Sequence, residues 1–161
     1  MKHTAILFCL AWLAIASQAA DELSPAARHA EAAKLLDGLP SRSDLYHADA
    51  ILHKGLIRSE IEREIARKTF EVAKERIPKL RPLITVGDSV FDYPGLLAAG
   101  EPQFVKNRGE HPDVKGKYYR LFIGITEQTE EGHIQIPNMF GIEFDQSGRI
   151  LRVLGPGTLI L

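Results

Sequence analysis

Pro78-Lys79-Leu80-Arg81-Pro82 divides the chain into two parts of different character. Upstream, the sequence is rich in Ala, Glu, Lys and Arg, with apolar residues recurring at helical spacing. Downstream come glycines, aromatics, β-branched residues and turn signals. Two prolines in five residues stop a helix, because proline lacks an amide hydrogen and restricts the residue before it. Helices first and hairpins after predict an α+β fold, with N-terminal helices followed by a C-terminal antiparallel β-meander packed on a helix. The expected division is a signal peptide over 1–19, a helical segment over 20–82 and an α+β sheet region over 83–161, the last two forming one domain.

Working upstream, Ser59-x-x-Glu62 forms a capping-box pattern. Leu56, Ile57, Ile61, Ile65, Val72, Ala73 and Ile77 fit a 3.6-residue period, predicting a helix over about 57–77 with Ile61 and Ile65 in the core. Ser24-Pro25 reads as an N-cap followed by proline in the first turn, with a stop at Gly38. Ser41 to Ser43 opens a shorter helix through Leu52. Nine basic and five acidic residues between Lys54 and Arg81 read as a solvated face.

The chain opens with Lys2, His3 and an unbroken apolar run from Ala5 to Ala16, followed by Ser17-Gln18-Ala19. This is the order of a secretory signal peptide, with cleavage expected after Ala19. Twelve apolar residues are short of the roughly 20 that span a bilayer. The expectation is export to a bacterial periplasm, with no transmembrane segment after cleavage. Cys9 leaves with the signal, so residues 20–161 contain no cysteine and fold without disulfides. Nineteen basic against 21 acidic residues remain, a net charge of -2, with no drive toward nucleic acid.

Downstream, Tyr118 to Thr126, Gly141 to Phe144 and Arg149 to Leu154 read as strands, about three in all. Thr129-Glu130-Glu131-Gly132 is a turn, and Asp145-Gln146-Ser147-Gly148 a four-residue hairpin connection. Gly155-Pro156-Gly157 ends the last strand, leaving Leu159 and Ile160 to dock on this protein or on a partner.

Candidate chemistry is sparse. Gly87-Asp88-Ser89 follows a short apolar run and resembles the nucleophile block of SGNH/GDSL esterases, but only 72 residues follow and no oriented base can be named. The bland alternative is that Asp88 or Ser89 caps a helix. Asp49 and His53 share a helix face, two ligands where a zinc site needs three or four. Arg108-Gly109-Glu110-His111-Pro112-Asp113 is a polar, turn-rich loop of the kind that carries binding groups. The candidate binding residues are Phe91, Tyr93, Arg108 and His111. No motif implies a cofactor or a metal.

Ile84-Thr85-Val86-Gly87-Asp88-Ser89, then Leu96 to Pro102, Tyr118-Tyr119 and Ile142-Glu143-Phe144-Asp145-x-x-Gly148-Arg149-Ile150 have a shared cadence. It resembles the SmpA/OmlA (BamE-like) small envelope proteins and related folds of β-lactamase-inhibitor type. The resemblance covers about residues 84–154. It implies a helix opened by Gly87 and closed by Gly100, an exit at Pro102 and two or three antiparallel strands. The chain departs from the pattern in a Pro94-Gly95 break, in lacking the lipid-bearing cysteine and in the long helical segment before the motif. The resemblance implies a non-catalytic envelope protein and carries over no particular partner. The leading expectation is a protein-binding accessory or inhibitor in the cell envelope, with an envelope protein as the expected partner. Two alternatives stand beside it: a small serine-type hydrolase using Ser89 or the 108–113 loop, and a small-ligand carrier with a cystatin-like or NTF2-like curved sheet.

Overall fold

The computed structural model describes residues 23–56, 58–129, 132–135 and 139–155. The expected signal peptide and the docking of Leu159 and Ile160 fall outside these residues.

Three helices come first. Helix α1 (Pro25–Leu36) begins at Ser24, whose side chain accepts the Ala27 N–H, and ends before Gly38, whose φ is +69°. Helix α2 (Arg42–His53) and helix α3 (Glu60–Leu80) each start with a full capping box, Ser41 with Asp44 and Ser59 with Glu62. Two otherwise orphaned amides are satisfied in each case. The α1–α2 connection is tied to α3 by the Arg76 guanidinium, which donates to the Asp37 carbonyl.

Helix α3 corrects the sequence reading three times. It begins at Glu60, three residues after the expected start. It runs through Pro78 to Leu80, three residues beyond the expected end. An internal proline costs about 3 kcal/mol; burial of Ile77 and Leu80 on either side opposes that cost. Its buried stripe is Ala66, Phe70, Ala73, Ile77 and Leu80. Ile61 and Ile65 are 74 % and 59 % exposed, so they are not core. One residue turns a helix by about 100°, and Ile65 therefore points well away from Ala66.

A 3-10 turn (Arg81–Leu83) leads from α3 to the sheet region. A second (Val90–Asp92) and the short helix α4 (Leu96–Gly100) precede the strands. Gly100 is the last helical residue, and the left-handed stop falls on Glu101, with φ 50°, instead of on glycine. Gly100 is required for space: a Cβ there would lie 2.5 Å from Leu121 Cδ1. Nor does Gly87 open a helix; its φ of +96° belongs to the turn before Ser89.

The sheet has four antiparallel strands in the order β1 (Gln103–Lys106), β2 (Lys117–Ile123), β5 (Phe140–Phe144), β6 (Ile150–Leu154). Strand β1 is not among the three strands read from sequence. The intervening β3 (Thr126–Thr129) and β4 (Gly132–Gln135) leave the sheet as a separate two-stranded hairpin. The β5–β6 turn is as expected, with the Asp145 N–H bonded to the Arg149 carbonyl and Gly148 at φ +90°. Leu121, Ile123, Phe140, Ile142, Phe144 and Ile150 join the helical residues in one apolar cluster. The α+β architecture is thus helices followed by an antiparallel sheet, sharing a core.

Candidate functional site

Strand alternation sends Tyr118, Arg120 and Glu143 to the face of the sheet opposite that cluster. Glu143 is completely buried there. Arg120, its cross-strand partner on β2, donates to Oε1 from Nε (2.8 Å) and Nη2 (2.6 Å). Arg152, its partner on β6, reaches Oε2 from Nε (2.8 Å) and Nη2 (2.7 Å). His111 Nε2 lies 2.8 Å from the same Oε2, and its ring stands edge-on to Tyr118 with centroids 4.7 Å apart.

His111 arrives from the loop between β1 and β2, and Asn107 organises that loop. Its Nδ2 donates to the His111 and Val114 carbonyls, both at 2.6 Å. Its Oδ1 accepts the Gly109 and His111 amides. Arg108 lies on the loop surface, its own amide donating to Glu110.

Burial opposes ionisation of Glu143, but the hydrogen bonds from Arg120, His111 and Arg152 outweigh it and hold the carboxyl below its ordinary range. A carboxylate so held is a poor proton acceptor, unsuited to general-base work near neutral pH. Two guanidinium groups against one carboxylate leave a surplus of positive charge on this face of the sheet.

A second polar centre joins the two halves of the chain. Asp88 Oδ2 accepts from Arg28 Nη2 (2.9 Å) and His29 Nε2 (3.0 Å) of α1, and from the Tyr93 hydroxyl (2.6 Å). Burial would raise the Asp88 pKa; the bonds from Tyr93, His29 and Arg28 bring it down to about 2. Burial and Asp88 push Tyr93 up to about 12. Neither group exchanges protons near neutral pH, so the cluster acts as a clamp.

The predicted binding residues therefore do not converge on one another's contacts. Tyr93 is buried and serves the Asp88 centre, so it offers no surface to a partner. His111 serves Glu143. Phe91 is 67 % exposed. Its 3-10 turn is fixed by a capping box between Ser89 and Asp92. A Cβ built at Gly148 would lie 2.6 Å from the Phe91 ring, so the ring rests directly on that glycine. No family model, no curated protein and no solved structure matches the chain.

The Ser89 hydroxyl oxygen caps the 3-10 turn, accepting the Phe91 N–H at 3.3 Å, the capping role expected of Asp88 or Ser89. Asp49 and His53 do pair, at 3.2 Å; Asp49 is buried and also meets Lys54 at 2.8 Å. An open groove of about 470 Å³ lies between α2 and α3, lined in part by Leu39, Ala48, Ile51 and Ile65, and not by the sheet around which the carrier alternative places its pocket. Among the described residues no helix is long and apolar enough to cross a membrane. Sequence reasoning gave Glu143, Arg120 and Arg152 no role. The available signal was a charged residue in the middle of the apolar Phe140–Phe144 strand.

Proposed function

We propose that this chain is exported and acts in the cell envelope as a non-catalytic protein that binds another protein, as an assembly accessory or an inhibitor. Phe91 carries the reading. An aromatic ring held on rigid backbone and still largely exposed has little ordering entropy left to lose, which is the character of an interface anchor. The chemistry supports it from the other side, since Glu143 and Asp88 are held ionised by their donors. The likeness in sequence to SmpA/OmlA proteins points the same way. The short helix ending at Gly100 and the extended exit at Pro102 fit that likeness, while the helix start at Gly87 does not.

The test uses residues 20–161 immobilised and exposed to envelope extract, beside a Phe91→Ala variant of equal stability. The reading expects a protein retained by the first and lost from the second. Equal retention by both, or ester hydrolysis that Ser89→Ala abolishes, would overturn it.

A further inference from the structure

Strand β1 is an edge. Strand β2 pairs with one side of it, and among the described residues no strand pairs with the other. Phe104 and Lys106 share one face, opposite Tyr119 and Lys117 of β2. On that face Phe104 is 69 % exposed, and Lys106 stands directly across from Lys117. Like charges at opposed positions destabilise a strand pair. From Gln103 to Lys117 the cations Lys106, Arg108, Lys115 and Lys117 outnumber the acids Glu110 and Asp113. Among the described residues Lys106, Lys115 and Lys117 have no carboxylate within ion-pair distance, while Arg108 acts on Glu110; Lys117 Nζ lies 5.0 Å over the Phe104 ring.

Lysine on an edge guards against indiscriminate pairing. That accounts for Lys106 alone. It does not account for an exposed phenylalanine two residues away on the same face, which invites pairing. The combination selects instead of merely repelling. We propose that the outer edge of β1 receives an extended acidic segment of a partner protein, added to the sheet as a further strand. A carboxylate would sit beside Lys106, within reach of the Lys117 ammonium that extends over β1 to the Phe104 ring, and an apolar residue beside Phe104. Main-chain hydrogen bonds from the edge would supply affinity and the alternating side chains specificity. Because Phe104 and Lys106 are two residues apart on one face, the incoming carboxylate and apolar residue are also two apart. The proposal rests on the protein-binding function above and names the chemistry of the partner segment.

The probe is the peptide Thr-Glu-Thr-Val-Thr-Glu-Thr, with a control carrying Lys for Glu, titrated against the isotope-labelled protein and followed by amide NMR signals. The acidic peptide should shift the signals of residues 103–106 saturably, and the lysine peptide should bind about tenfold more weakly. The double variant Lys106→Glu, Lys117→Glu should exchange the preference. No shift at about 1 mM acidic peptide, equal shifts with both peptides, or no exchange in the folded variant would overturn the proposal. Should the double variant unfold, Lys106→Gln must still weaken the acidic peptide, and unchanged affinity overturns the proposal. An envelope partner retained through Phe91 but indifferent to Lys106 and Lys117 would remove the strand addition while leaving the protein-binding function standing.

Discussion

Glu143 is a buried charge whose stability depends on its neighbours. Removing one member of a buried ion cluster leaves the others desolvated without compensation, and such changes cost about 3–5 kcal/mol. Arg120 and Arg152 keep part of their hydration, which places Glu143→Gln near the lower end, about 3 kcal/mol. Urea denaturation at neutral pH measures it. Asp88 makes a pH-dependent contribution. Its folded pKa, about 2, lies below the ordinary 3.8, so its stabilisation is fully present above about pH 4 and is lost as the pH falls toward 2. A shift of one unit corresponds to about 1.4 kcal/mol, and partial solvent contact reduces the yield. Between pH 5 and pH 2 the wild type should therefore lose about 1–2 kcal/mol more than Asp88→Asn does, the loss common to both belonging to the other carboxylates held low, Glu143 among them.

At the scale of elements, the exposure of Ile61 and Ile65 reverses the expectation from periodicity. Ile61→Ala and Ile65→Ala should each change stability by less than about 0.5 kcal/mol, the surface range. Phe70→Ala, in the true stripe, should cost about 3–5 kcal/mol. Calorimetry or urea denaturation separates the two. The helix starts were legible at Ser24 and Ser41, because a cap and its amide lie within three residues; the start of α3 was read about three residues early, although the Ser59 capping box marks it. The face of α3 was not, because two apolar stripes run along it and only packing against α2 and the sheet selects one. Strand β1 was hidden for a similar reason. Four residues beside a polar loop carry little local signal, and their pairing partner lies beyond that loop. The loop itself hangs on Asn107. Asn107→Ala removes four hydrogen bonds that fix residues 109–114. It should free His111 from Glu143, seen as faster amide exchange across the loop with the sheet amides still protected.

In the whole molecule, the helical and sheet halves share one apolar cluster and are pinned by Asp88, which reaches Arg28 across sixty residues of sequence. Glu101 adds a second tie, accepting the Ser43 amide in the first turn of α2. Contacts of such separation leave no periodic trace, so neither centre was visible in the sequence. The candidate binding residues were legible only in part. Phe91 and the 108–113 loop stood out as aromatic and polar features, while the burial of Tyr93 depends on how α1 closes over the turn. The fold leaves Phe91 mounted on Gly148 and offered to solvent, and the proposed function rests on that ring. The most direct test is the affinity of the retained envelope protein for wild type and for Phe91→Ala, by titration calorimetry. The account predicts a loss of at least about 2 kcal/mol, roughly thirtyfold in Kd, with stability unchanged. Equal affinities would contradict it.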